Sequence, residues 1–174
     1  MAHHFDFIEN IGTKKGHWRL QVYVIRAWKE MHKTNYNEFN SIELILQDIK
    51  GSRIQASIGK PFLSRHGGSI KEFVMYVMNN FIVVDKKLMP KTTENKWSLN
   101  FSNGTTVQRV HQPGFPLEPF RFCGISELIT VDPLDCSQLI DVIAEVVGKE
   151  EPRDITTVTR RPTKRMALKI QDLE

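Results

Sequence analysis

The chain has 174 residues, 40% of them hydrophobic and 25% charged. Its 24 Lys and Arg outnumber 20 Asp and Glu, for a net charge of +4 and a pI of about 9.1. That length holds one domain of about 100–150 residues with chain left over, the composition is that of an ordinary globular protein, and the mild basic excess admits a polyanion as partner without requiring one.

"HWRLQVYVIRAW" alternates, with Trp18, Leu20, Val22 and Val24 on one face and Arg19, Gln21, Tyr23 and Ile25 on the other. This pattern predicts a long, half-buried strand. The polar "KEMHKTNYNEFNS" reads as a loop. In "SIELILQDIKG" Ile42, Leu44 and Leu46 point inward before a turn over Asp48–Gly51, and "SRIQASI" returns with Ile54, Ala56 and Ile58 inward, as a hairpin requires. Pro61 suits a first helical turn and the Gly67-Gly68 pair an end, which places one short helix between them. "FVMYVMNNFIVVD" is the next strand and "KKLMPKTTENK" a basic loop. "KWSLNFSNGTTVQRV" gives a strand with Trp97, Leu99 and Phe101 on one side, an Asn-Gly turn at 103–104 and a short strand through Val107. Trp18, Phe81, Trp97 and Phe101 are core candidates.

The order β-β-β-α-β-β predicts a mainly β protein, a five-stranded Greek-key barrel of the OB type with one short helix. An SH3-like barrel is the competitor, and the helix after the third strand argues against it. "HQPGFPLEPFRF" is rich in proline and reads as a linker. "SQLIDVIAEVVGKE" and "MALKIQDLE" then repeat the pattern of "WRLQVYVIRAWKE" and "LILQDIKG", down to the Gln-Asp before the turn. Such self-similarity marks a tandem copy. The expected organisation is an arm over 1–16, a first OB domain over 17–110, a linker over 111–135, and over 136–174 the truncated start of a second OB domain, packed as a partial sheet.

Several functions have no support. The sequence carries no GxSxG, HExxH or Walker loop, so no enzyme is expected. Two cysteines, Cys123 and Cys136, form no CxxC, and the six histidines lack metal-ligand spacing; free thiols and no metal or cofactor are expected. No apolar run approaches the roughly 20 residues of a membrane span, and no signal peptide is visible at the N-terminus. "TRRPTKR" is a basic cluster readable as a DNA contact, a nuclear import signal or a solvated loop.

Taken together and in order, "WRLQVYVIRAWKE", "SIELILQDIKGSRIQASI", "KEFVMYVMNNFIVV" and "LIDVIAEVV" resemble the plant replication protein A large-subunit-like proteins. The resemblance covers about residues 17–174. It implies non-enzymatic binding of single-stranded DNA in replication, repair and recombination, a nuclear location, and other replication protein A subunits as further partners. RNA stays open beside DNA. An OB barrel binds strands across its second and third strands, between the loop after the first strand and the loop before the last. The first of those loops is expected to supply Arg26, Trp28, Lys29 and Lys33, and the second Lys87, Lys91 and Lys96 beside Lys86. Arg53, Gln55 and Ser57 on the return strand, with Lys60 after it, complete the set. The positions where relatives place stacking aromatics fall here on Ile58 or Gly59 and on Leu88 to Pro90, leaving Trp28 and Tyr23 as stacking candidates. A protein-interaction module, or a transposon-derived copy with little DNA binding, is the alternative.

Overall fold

β1 runs Arg19–Met31, three residues past the end expected at Trp28. It belongs to a computed structural model that describes residues 4–31, 38–86, 91–130, 139–157 and 162–172. The chain divides into two units, Met1–Pro119 with Cys136–Leu139, and Phe120–Asp135 with Ile140–Glu174.

In the first unit, β1 pairs antiparallel with β2 (Phe39–Gln47), and β2 with β3 (Arg53–Gly59). The alternation read from sequence places Leu20, Val22, Val24, Leu44, Leu46, Ile54, Ala56 and Ile58 in the core, all fully buried. One residue of β1 breaks the alternation. Val24 faces Leu46 and Arg26 faces Ile45, so Ile25 is an extra, bulged residue, which re-aims the strand beyond it. A 3-10 turn over Lys60–Phe62 carries Pro61 and runs into the single helical turn α1 (Leu63–His66). A Cβ at Gly67 would lie 2.7 Å from the Leu63 carbonyl oxygen, so only glycine lets the helix end there.

The next expected strand is split, whereas the last segment forms two strands on either side of the expected Asn-Gly turn. The split strand becomes β4 (Met75–Asn79) and β5 (Ile82–Asp85), and the last segment β6 (Trp97–Asn100) and β7 (Thr106–Val110). Asn80 causes the break. Its φ is +60°, a region Asn tolerates. Its carbonyl accepts the hydroxyls of Ser102 (3.1 Å) and Thr105 (2.8 Å), and its side-chain amide donates to the Gly104 carbonyl (3.2 Å). The kink and the Ser102–Thr105 turn therefore hold each other.

The seven strands form one sheet in the order β5-β6-β3-β2-β1-β4-β7, with β3 and β6 parallel. β4 and β5 stand sixth and first in that order, yet only Asn80 and Phe81 separate them. Three Cα steps span at most about 11 Å, so the sheet must curl. The architecture is thus an open, curled, OB-like half-barrel rather than the closed five-stranded Greek-key barrel expected. The physical reason is the kink at Asn80, which breaks one expected strand into two and sends β5 to the far edge of the sheet.

Asp48, 2% exposed, anchors the first unit. One carboxylate oxygen accepts the backbone N–H groups of Lys50 and Ser52, both at 3.0 Å, closing the hairpin turn with Gly51 at φ +78°. The other accepts the N–H of Ile8 at 2.8 Å, at the start of a 3-10 turn over Ile8–Asn10. Ile8 and Ile11 are core residues, so the expected N-terminal arm is part of the fold.

The second unit repeats this opening. Its helix α2 (Ile125–Thr130) is followed by β8 (Glu145–Lys149), β9 (Arg153–Thr156), β10 (Pro162–Arg165) and β11 (Leu168–Gln171). β8 pairs with β11 as β1 does with β2, bulge included: Ile170 faces Val146, Lys169 faces Gly148, and Val147 is extra. The Ile125 N–H donates to Asp172 at 2.7 Å, as Ile8 does to Asp48. The Cys123 N–H donates to the Asp141 carbonyl at 2.9 Å, as Asp6 does to Arg19 at 2.8 Å. The repeat thus begins at "FDFIEN" and "FCGISE", upstream of the strands that reveal it in sequence. Val24, Leu44 and Leu46 are 0% exposed, whereas their counterparts Val146, Leu168 and Ile170 are 54%, 49% and 42% exposed. β8 and β11 form a two-stranded sheet, as do β9 and β10.

Two measurements check this account. Asp48→Ala leaves three backbone donors without their acceptor, and at about 1 kcal/mol or more for each urea unfolding should show a loss of about 3 kcal/mol. His66 is buried edge-on against Phe101, 5.2 Å between centroids, and its Nε2 has no hydrogen-bond partner among the described residues. Burial first, then the adjacent Arg65, holds its pKa below 6.5. The unfolded chain therefore takes up the proton more readily than the folded one, so stability is present above about pH 6.5 and lost as pH falls through the lowered folded value. The thermal midpoint should fall between pH 7.5 and pH 5, and His66→Phe should flatten that slope.

Candidate nucleic-acid interface

The outer face of β2 and β3 is built from the residues between the core positions. Ser41, Glu43, Ile45 and Gln47 on β2 lie opposite Gly59, Ser57, Gln55 and Arg53 on β3. β1 adds Trp28 opposite Glu43 and Arg26 opposite Ile45. This face divides into two parts.

One part is covered. Residues 112–118, within the expected linker, lie against it as a strap. Phe115 is buried, its ring edge-on to Tyr23 at 5.2 Å. The Gln21 amide donates to Gln112 at 2.7 Å, and the Gln47 amide donates to the Pro116 carbonyl at 3.2 Å. Arg53 donates to the Glu118 carbonyl and, at 3.1 Å, to Gln47. Two expected ligand contacts, Arg53 and the stacking candidate Tyr23, are thereby engaged with the chain's own strap.

The other part centres on Glu43, which is 8% exposed. One of its oxygens accepts the hydroxyls of Ser41 (2.6 Å) and Ser57 (2.7 Å); the other accepts the Gln55 amide at 2.8 Å. Gln55 in turn accepts the Thr92 hydroxyl at 2.6 Å, and the Lys86 ammonium donates to Thr92 at 2.8 Å and to Thr93 at 3.4 Å. A continuous chain of hydrogen bonds thus runs from a carboxylate in the floor to a cation at the rim. Lys86 is half-buried, and its pKa is pulled down to about 8, chiefly by desolvation, further by Lys91, with Glu43 opposing. Lys91 and Lys96 are exposed beside it, and Lys96 sits 5.0 Å over the Trp97 ring.

The remaining expected residues sort as follows. Arg26, Trp28 and Lys29 belong to β1 and not to a loop, because β1 continues its pairing with β2 as far as Met31. Arg26 lies 6.0 Å from the Phe73 ring and Lys29 4.9 Å from Phe39. Trp28 is half-buried next to Glu43. Gln55 is buried and Ser57 half-buried, both held by Glu43. Lys60 is exposed and paired with Glu38 at 2.9 Å. Lys33 and Lys87 lie outside the described residues. Sequence reading missed Glu43, Ser41, Thr92 and the strap. Glu43 had a signal, an acid on the same alternating phase as Ser41 and Gln47, but that phase reads as solvent. Among the described residues no group of three or more His, Cys, Asp or Glu is placed to hold a metal ion, and no helix is long and apolar enough to cross a membrane.

The model of the family described as "Domain of unknown function DUF223" matches residues 9–130. No curated protein matches the chain. Among solved structures, one of a replication protein A heterotrimer bound to ssDNA is similar over 95% of this chain and 38% of that one, at 21% identity and a TM-score of 0.60. The OB domain of a Methanosarcina mazei protein is similar at 16% identity and a TM-score of 0.49, over 68% of this chain and 94% of that one. DNA-binding domain A of S. cerevisiae replication protein A is similar at 16% identity and 0.46, over 63% and 96%. The chain spans well under half the length of the heterotrimer chain it matches, and what it shares with that chain is the fold.

The Glu43 network predicts a split between two variants. Glu43→Ala strands two hydroxyls and an amide, and should cost about 3 kcal/mol in urea unfolding. Glu43→Gln keeps the shape and can satisfy the same partners once Gln55 turns its amide over, so it should cost under about 1 kcal/mol by the same reckoning.

Proposed function

We propose a binding function, and no catalytic one, for this chain, which belongs to the family described as Domain of unknown function DUF223. The ligand is single-stranded DNA, laid across the part of the β2–β3 face that the strap leaves uncovered. The observation that carries this reading is the Lys86 rim: three lysines, Lys86, Lys91 and Lys96, edge a polar floor that also holds Trp28. Lysines there contact phosphates and release counterions, which makes affinity salt-dependent. Trp28 supplies a ring on which a base can stack, worth about 1–3 kcal/mol and indifferent to base identity. The similarity of fold to a chain of a replication protein A heterotrimer bound to ssDNA supports the same reading. The finer role, a replication protein A large-subunit-like part in replication, repair and recombination in the nucleus with other subunits of that assembly, belongs to this proposal.

The second reading is a protein-interaction module. It is favoured by the Glu43 floor, whose donors already have partners inside the chain.

Fluorescence anisotropy of a labelled oligo-dT separates the two. Single-strand binding predicts an affinity that falls with salt, and that weakens in Trp28→Ala and in Lys91→Glu with Lys96→Glu. Binding that ignores salt, or none at low salt, rejects it. Lys86 adds a pH signature. A bound phosphate favours its charged form, so a proton is taken up on binding where the free lysine is partly neutral. With a pKa of about 8, affinity should decline from pH 7 to pH 9, and Lys86→Met should remove that decline.

A further inference from the structure

The strap over the outer face is attached in an unusual way. Residues 111–120 contain no strand or helix, and Phe115 alone among them is buried. Prolines recur every third position, at 113, 116 and 119. Proline has no N–H to give a ladder, and an extended chain so spaced leaves its carbonyls for other partners. The strap therefore cannot join the sheet as a strand. It is held by one ring and by side chains of the face that donate to it. A turn from Gln112 to Phe115, with Gly114 at φ +78°, brings that ring down onto Tyr23. Phe115 is buried, yet it stands apart from the hydrophobic cluster inside the sheet. Lifting the strap leaves that cluster covered, so the strap is a segment that opens locally without unfolding the strands beneath it.

We propose that the strap is an internal competitor, an autoinhibitory segment that a long single strand displaces and a short one does not. This inference rests on the single-stranded DNA reading of the same face. Each contact of the strap imitates one that a strand makes. Phe115 sets a ring against Tyr23, where a base would stack. The Pro116 and Glu118 carbonyls accept from Gln47 and Arg53, where oxygens of a nucleotide would. The imitation is weaker than the original at Arg53. A carbonyl is neutral, whereas a phosphate takes charge-assisted, bidentate bonds from a guanidinium. Exchange of strap for strand is therefore favourable once the ligand is long enough to reach past the uncovered part. A strand confined to the Trp28 and Lys86 part gains nothing from opening. The apparent affinity of a long strand is reduced by the fraction of chains whose strap is shut, so the strap sets how strongly length is rewarded.

The test compares anisotropy titrations of the full chain with labelled oligo-dT of about 4 and about 12 nucleotides, both within the range of site sizes of one OB fold. Phe115→Ala takes the ring out of its slot. It should tighten the 12-mer, about tenfold if the strap is shut nine-tenths of the time, and leave the 4-mer as it was. Gln112→Ala cuts the bond to Gln21 with the ring left in place, and should shift the 12-mer the same way by less. In the unaltered chain, the 12-mer should speed chymotrypsin cleavage after Leu117 and the 4-mer should not. A strap that only shields the sheet would lower the urea midpoint in Phe115→Ala and leave the ratio of the two affinities where it was. An unmoved or reversed ratio in both variants overturns the proposal, as does cleavage slowed by the 12-mer. The two readings fail differently. Binding of both oligonucleotides with an unmoved ratio sinks the strap proposal alone, whereas no binding of either, in any form, rejects the single-strand reading of the face and this proposal with it.

Discussion

The buried carboxylate of Asp48 ties together parts of the first unit that sequence separates by 40 residues. Three backbone donors converge on its two oxygens, two from the hairpin turn and one from the N-terminal turn. A buried carboxylate is costly unless it is bonded on this scale, so the turn, the entry segment and the β2–β3 register form or fail together. The register matters most for the proposed face, since it sets Glu43 opposite Ser57 and Ile45 opposite Gln55. Asp172 holds Ile125 in the same manner, so the device belongs to the repeated unit and not to one site.

The uncovered half of the face is an electrostatic compromise. Its rim is cationic and its floor holds an anion. The same Glu43 that opposes the fall in the Lys86 pKa also repels any phosphate that approaches the floor. In the proposed binding mode a strand is therefore steered toward the rim and presents its bases, not its phosphates, to the Trp28 side. The strap adds a boundary at the other end, because it spends the donors of Gln47 and Arg53 on its own carbonyls.

How much of this was legible depended on how local each cause is. The alternation of β1, β2 and β3 shows in the sequence because burial on one face imposes period two, and Leu20, Leu44 and Ile54 carry it plainly. The Pro61 start and the Gly67 end of the helical turn were legible for the same local reason. The break at Asn80 was not. Asn80 looks like any residue of a polar pair until Ser102 and Thr105, more than 20 residues on, bond to its carbonyl. The strap was hidden because proline-rich chain reads as linker wherever it lies, and Phe115 reveals nothing until Tyr23 is beside it. At the site, the lysines of the rim were legible as a basic run. The Glu43 network was not, since it exists only across paired strands. The repeat was legible through "IQD" and "LQD", but its true start was not, because "FDFIEN" and "FCGISE" share only a phenylalanine and an isoleucine.

The bulge at Ile25 has a consequence for how such chains are compared. Before it, the outer face carries Gln21 and Tyr23; after it, Arg26 and Trp28. A strict alternation counted through Ile25 would turn every side chain from Arg26 onward to the opposite side of the sheet, sending Trp28 toward the core and Ala27 outward; the bulge absorbs the extra residue and keeps Trp28 on the face. The extra residue therefore works as a reading-frame marker for the β1 contribution to the face. Val147 preserves the same frame in the second unit, where the position matching Trp28 is Glu150. An alignment to a strand without the bulge must therefore leave Ile25 unmatched, or it compares core with surface from there on.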